Sequence, residues 1–330
     1  MFEDLAALTS IRHLVAYASL AYHNHDGAEF RAYAEGFGLH GNLTARKISS
    51  NRTGLHAHLG IQNDNSLVIV FSGYSIPRKY EDYVQPTLWD GLFRSLVMTL
   101  GYGFTEPGWA GSTNIFVHKG FLLAFNDLAA NLSLSINGLL NGKQPQKIEV
   151  CGHGIGGAIA TLCALWCRIR WTAANITCVT LGSPMVGDER FAREFNSWKI
   201  YCYRLIIRSD PVANLPNSGV EKILVRYSDS SLFGITLREG GAAHTWKHVG
   251  IAIPLGPETP EKGPRRFTSE VGRATIYAGE HWWLWVSYWL LRVLQILLTI
   301  SVYPPMDYAT YFHKMLEERK EESMGKPRLA

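Results

Sequence analysis

Gly152-His153-Gly154-Ile155-Gly156 has the spacing of a corner that presents a nucleophile. The five residues lie between a short apolar run, Ile148 to Cys151, and a long apolar-periodic run, Ala158 to Trp171. In that strand–turn–helix context the pattern G-x-S-x-G raises a serine oxygen toward a carbonyl carbon. Here the central position is Gly154, so the corner is kept and the attacking oxygen is absent. Glycine enters such a strained backbone without a Cβ clash, which relieves about 1–3 kcal/mol.

The elements that must position these residues follow from hydropathy periodicity. Apolar positions at helical spacing over 4–22 predict an opening helix that stops at His23-Asn24-His25-Asp26-Gly27. The stretch from Gly36 to Asn51, rich in Gly, Asn and Ser, is expected to be a loop. Leu55 to Gln62 and Leu67 to Phe71 alternate as two strands joined at Asn63-Asp64-Asn65. Helices are expected over 120–140, 156–171 and 189–196, with strands at 147–151, 176–181 and 201–208 between them. Strands separated by helices imply a mostly parallel sheet covered on both faces, with any ligand at the carboxyl ends of its strands.

The 330 residues fit one large α/β domain, with a lid-like excursion over 75–112, an insertion over 257–303 and a charged tail over 314–330. The net charge of +4 comes from scattered basic residues; the only local cluster is Lys262, Arg265, Arg266 and Arg273, so no nucleic-acid partner is expected. All five cysteines fall in predicted strands or in the helix after the corner, where cysteine acts as a small hydrophobe. Cys163 and Cys167 are one turn apart but lack companions at ligand spacing, so no metal and no cofactor is expected. The absence of a basic, apolar leader and the unpaired thiols point to an intracellular chain, cytoplasmic or peripherally membrane-associated.

Six segments, in order, resemble the fungal-type (class 3) triacylglycerol lipases, a branch of the α/β-hydrolases. Tyr17 to Tyr22 looks like that family's opening helix, and Val70-Phe71-Ser72-Gly73-Tyr74 stands in place of its F-R-G-T segment. Val117-His118-Lys119-Gly120-Phe121 is similar to V-H-x-G-F, and Cys151 to Leu165 to G-H-S-L-G-G-A-L-A-T-L apart from Gly154. Thr180 to Asp188 resembles T-F-G-S-P-R-V-G-N, and Arg208 to Pro216 the stretch that carries the triad aspartate, here Asp210. The resemblance implies an α/β-hydrolase fold in which Gly154 occupies the nucleophile position. It also implies that Tyr308, within Pro304 to Phe312, occupies the place of the catalytic histidine. A phenol, with an ordinary pKa of about 10, is a poor acceptor for a serine proton near neutrality. Tyr74 stands where the family has a small hydroxyl residue that helps to hold the oxyanion, and its bulk would crowd that space.

These readings lead to a lipase-fold protein without nucleophile or base, a degenerate triad in a pseudoenzyme. It would bind or transform a hydrophobic small molecule or lipid in the former cleft by cyclisation, isomerisation or proton transfer. Tyr74, Ile155, Trp89 and Val212 are expected to line that cleft, with Asp210, Tyr308, Tyr74 and His153 left for chemistry. One alternative is a scaffold or regulator at a membrane or partner surface. The apolar run 282–303, which includes Trp282, Trp283, Trp285, Trp289 and Arg292, would then span a bilayer, lie in its interface or cap the cleft. A second alternative is an acylhydrolase with a relocated nucleophile, Ser183 or Cys151. His281 and His313 flank the C-terminal region without a serine to serve.

Overall fold

A computed structural model of the chain describes residues 5–21, 46–73 apart from 51, 52, 54 and 63, 103–207 apart from 112 and 113, 210, 212–214, 245–256 and 305–324. Tyr74, Trp89, most of the lid-like excursion, the insertion with its run 282–303 and the last six residues lie outside the described residues.

The sheet is built around β6 (Lys147–His153) and β3 (Leu67–Phe71). All five β3 side chains are buried, each apolar one contributing about 1.5–3 kcal/mol. A strand buried on both faces reads as a continuous apolar run, which is why β3 stands out in the sequence. β1 (Arg46–Ser49), β2 (His56–Ile61), β7 (Asn175–Leu181), β9 (Ile200–Ile207) and β11 (Ile251–Leu255) complete seven strands. Their order is β1-β2-β3-β6-β7-β9-β11. The pairs from β3 to β11 are parallel, and β1–β2 and β2–β3 are antiparallel. β4 (Phe104–Thr105), β5 (Val117–His118), β8 (Gly187–Asp188) and β10 (Trp246–Lys247) form a small second sheet of two-residue strands.

Helices cover both faces. α3 (Lys119–Leu140) and α4 (Ile155–Arg170) pack on the face carrying Ile148, Val150, Ile176 and Cys178. α1 (Leu5–Ser10), α2 (Arg12–Leu20) and α6 (Pro305–Ser323) pack on the face carrying Val68, Val70, Cys151 and Val179. α5 (Glu189–Ser197) begins where the Asp188 carboxylate accepts the Phe191 N–H at 2.8 Å. The expected α/β architecture, a mostly parallel sheet with helices on both faces, is what the chain adopts, and α6 is a C-terminal helix; the expected inserted apolar helix over 282–303 lies outside the described residues.

Two local expectations are corrected. The expected loop over 36–51 contains β1, an edge strand whose Arg-Lys-Ile-Ser sequence buries Ile48 and so shows no apolar run. The expected helix over 4–22 is two helices that meet at Ile11. Among the described residues no helix is long and apolar enough to cross a membrane, and no group of three His, Cys, Asp or Glu side chains converges as metal ligands would.

Candidate functional site

The corner at the end of β6 is built from close backbone approaches. A Cβ on Gly152 would meet the Gly156 carbonyl oxygen at 2.4 Å, and one on Gly156 would meet the Phe71 and Ser72 carbonyl oxygens at 2.6 Å. These two glycines let the first turn of α4 settle onto the ends of β3 and β6. Gly154 between them has φ 57° and ψ −124°, a region that side chains enter only under strain. Its N–H donates to Leu181 O at 2.8 Å, and its carbonyl accepts the Gly157 N–H at 3.0 Å. Among the described residues beyond its chain neighbours, no atom stands within 4 Å of the place where its Cβ would be. The backbone therefore has the form of a nucleophile corner, with clear space in place of a side chain.

Tyr308, one turn into α6, is fully buried. Its hydroxyl donates to Oδ2 of Asp210, and its ring meets the His153 ring edge-on with centroids 5.6 Å apart. Oδ1 of Asp210 accepts the Val212 N–H at 2.8 Å. Burial pushes the Asp210 carboxyl up to about 6, against the lowering effect of those two hydrogen bonds. Since the one phenolic proton is committed to Asp210, Tyr308 serves here as a donor and not as a base. Gly182, at the end of β7 with φ 56°, makes the room: a Cβ there would lie 2.5 Å from both Asp210 Oδ2 and the Tyr308 hydroxyl oxygen.

Asp210, Tyr308 and His153 are thus brought together, and Gly154 follows His153 directly in the chain. Ile155 is partly exposed at the start of α4 and Val212 partly exposed in a 3-10 turn. Tyr74 and Trp89 lie outside the described residues. The relocated nucleophiles find no support in their surroundings. Ser183 is buried and its hydroxyl donates to Pro184 O at 3.1 Å, while Cys151 is fully buried and its thiol pushed well above its ordinary value by burial and then by Glu149. His248 is held by Ala213 O at 2.8 Å, and His313 is exposed on α6.

Two contributors escaped the sequence reading. Ser19, on α2, is fully buried and donates to Pro305 O at 3.0 Å, tying α2 to the first turn of the helix that carries Tyr308. Glu149, on β6, is buried between His13 at 2.8 Å and Lys147 at 2.9 Å and fastens the other end of α2 to the sheet. A lone glutamate in an apolar run was the only signal for the second.

Comparison with known proteins agrees with this fold. The model of the family described as Lipase (class 3) matches residues 93–220. The secreted mono- and diacylglycerol lipase 1 of Fusarium solani is 35% identical over 100 residues, which are 30% of this chain and 29% of that protein. A lipase of Rhizomucor miehei is 35% identical over 103 residues, 30% of this chain and 28% of that protein. The aligned part thus spans less than a third of either relative's length. Among solved structures, a triacylglycerol lipase described as having a serine protease triad as its catalytic centre superposes with a TM-score of 0.55 at 19% identity, over 79% of this chain and 83% of that one. The F. solani relative is a secreted enzyme, which overturns the expectation of an intracellular chain. The thiols misled that expectation for a physical reason: all five are buried core residues, so their unpaired state reflects packing and says nothing of the compartment.

Proposed function

We propose that the chain, whose residues 93–220 match the class 3 lipase family and whose fold is that of the α/β-hydrolase lipases, belongs to that family and binds a lipid or another hydrophobic small molecule in the former lipase cleft without cleaving an ester through a Ser-His-Asp triad. The reading rests on one observation: glycine holds the nucleophile corner while Tyr308, where the resemblance places the base, has its proton committed to Asp210. Removing the nucleophile or the base of a serine triad costs about 10⁶-fold in turnover, so loss of both leaves hydrolysis negligible.

The cleft opens at the carboxyl ends of the parallel strands, where Gly154, Gly182 and Asp210 follow β6, β7 and β9. Any transformation of the ligand there, such as a cyclisation or isomerisation, draws on positioning in an apolar site and not on acyl transfer. Ile155 and Val212 are the proposed apolar contacts among the described residues, with Tyr74 and Trp89 proposed beside them.

The test has two arms on the purified protein. Organic extraction followed by mass spectrometry is expected to yield a defined apolar compound in near-stoichiometric amount. Assays with p-nitrophenyl butyrate and triolein, with fluorophosphonate labelling, are expected to give no turnover and no adduct. Stoichiometric phosphonylation together with ester turnover by the unaltered chain would overturn the reading.

A further inference from the structure

Four of the fourteen asparagines stand in the pattern Asn-x-Ser/Thr with no proline between: Asn42, Asn51, Asn131 and Asn175. That triplet is what an asparagine needs to accept an N-linked sugar. Serine and threonine fill about one position in eight, so chance spacing would give one or two such triplets. Asn42 and Asn51 lie outside the described residues. Asn131 is exposed midway along α3 and is followed by Leu132 and Ser133. Asn175 is exposed as the first residue of β7 and is followed by Ile176 and Thr177. Among the described residues no partner engages either side-chain amide.

The outer face of α3 is short of charge, since Lys119 and Asp127 are the only ionic side chains in its 22 residues. From Leu123 onward its exposed side chains are those of Leu123, Asn126, Ala130, Asn131, Leu134 and Asn137, all neutral. Leu134 is 71% exposed and lies three positions after Asn131, a spacing at which side chains on a helix are neighbours. A branched sugar on Asn131 would cover that leucine and hydrate the face around it. Asn175 stands at the amino end of β7, about 20 Å along the strand from the end that Gly182 follows, so a sugar there leaves the cleft open.

We propose that Asn131 and Asn175 are acceptor sites for N-linked oligosaccharide, attached as the chain passes through a secretory pathway, with the sugar on Asn131 shielding Leu134. The F. solani relative is described as secreted. The donor is an oligosaccharide carried on a polyprenyl diphosphate. Nδ2 of the asparagine attacks C1 of the first sugar: an N–C bond forms, the C1–O bond to the diphosphate breaks, and the amide proton leaves with the diphosphate. The hydroxyl of Ser133 or Thr177 makes each asparagine a substrate for the transferring enzyme. Transfer precedes folding, so the helical setting of Asn131 is no obstacle; the fold has only to leave the sugar outside, and both positions do. Neither site depends on the proposed cleft function.

The test expresses the full chain in yeast behind a secretory leader and removes its sugars with an amidase in heavy-oxygen water, which turns each sugar-bearing asparagine into labelled aspartate. Peptide mass spectrometry is expected to find the label at positions 131 and 175. Asn131→Gln and Ser133→Ala are each expected to lose one sugar-sized step on a gel and to aggregate at about half the protein concentration or less. Leu134→Gln, added to either, is expected to restore the parent's solubility. If Asn131→Gln fails to fold, Ser133→Ala decides, because it keeps the asparagine. A position left unlabelled, in the medium or in chain retained by the cells, would overturn that site, and label confined to Asn42 and Asn51 would overturn both. Aggregation unchanged by loss of the sugar would overturn the shielding of Leu134.

Discussion

The Tyr308 hydroxyl donates to Oδ2 of Asp210 directly over Gly182, the α6 side chain and the residue after β9 being joined above the end of β7. The contact links positions 98 residues apart and closes the helical layer of α2 and α6 onto the carboxyl end of the sheet. Tyr308→Phe removes that donor from a buried carboxyl that also accepts the Val212 N–H. The expected loss is about 1–3 kcal/mol, read by urea denaturation. An unchanged midpoint would show that the hydrogen bond is not formed in solution.

Gly182→Ala tests the same relationship from below. Its Cβ would stand 2.5 Å from both partners, and the positive φ of 56° adds backbone strain. Neither the carboxylate nor the phenol can yield without losing the other, so destabilisation above about 3 kcal/mol is expected. A mild effect, below about 1 kcal/mol, would mean that the pair is looser than described.

The pH dependence of stability carries a signature of Asp210. Its folded value of about 6 lies above its ordinary 3.8, so its contribution is full below about 3.8 and is lost as pH rises through about 6. At about 1.4 kcal/mol per unit this is about 3 kcal/mol. His118 and His248 oppose it: burial lowers both from 6.5 to about 4, so their contributions are full above 6.5 and lost as pH falls through about 4. Two histidines outweigh one aspartate, and the unaltered chain should gain stability from pH 4 to 6.5. Asp210→Asn should gain more steeply, so the stability of the parent minus that of the variant should fall across this window. A flat or rising difference in pH-resolved urea melts would refute the assignment.

His13 and Glu149 offer a control remote from the cleft. Burial pushes the Glu149 carboxyl up, yet His13 and Lys147 together hold it below its ordinary value. His13→Ala leaves the buried carboxylate with Lys147, at an expected cost of about 1–3 kcal/mol near neutrality. Because the folded value is depressed, the contribution is lost as pH falls through it, and the penalty should shrink toward pH 3. A penalty that stays constant in guanidinium melts would assign the effect to packing alone.

The legible parts of this fold were those where one physical requirement dominated a contiguous stretch. β3 and β6 are apolar on both faces, and α4 begins at Ile155, one residue from its expected start, because the three alternating glycines of the corner have no other use. β1 was hidden because an edge strand with only Ile48 buried has no apolar pattern, and β4, β5, β8 and β10 because two residues cannot show a period. The pairing of Tyr308 with Asp210 was reached through motif order. The need for glycine at 182 depends on the Asp210 and Tyr308 side chains, which are distant from it in sequence, and no local pattern records that.

Restoration is the sharpest prediction for the corner itself. Among the described residues the space above Gly154 is clear, so the cost expected of Gly154→Ser is the backbone one of φ 57° and ψ −124°, about 1–3 kcal/mol. The single variant has an oxygen but no base, since Tyr308 gives its proton to Asp210, and its ester turnover should stay near background. Adding Tyr308→His sets an imidazole against Asp210, the arrangement in which a carboxylate orients a histidine toward serine. The double variant is expected to react with a fluorophosphonate and to hydrolyse p-nitrophenyl butyrate at least about 10²-fold faster than either single variant. If Gly154→Ser alone reached that rate, some other residue would be supplying the base and the role assigned to Tyr308 would be wrong. If the folded double variant stayed inert, the deficit would lie in the oxyanion donors. Attention would then move to Tyr74, whose replacement by threonine is the next substitution to add.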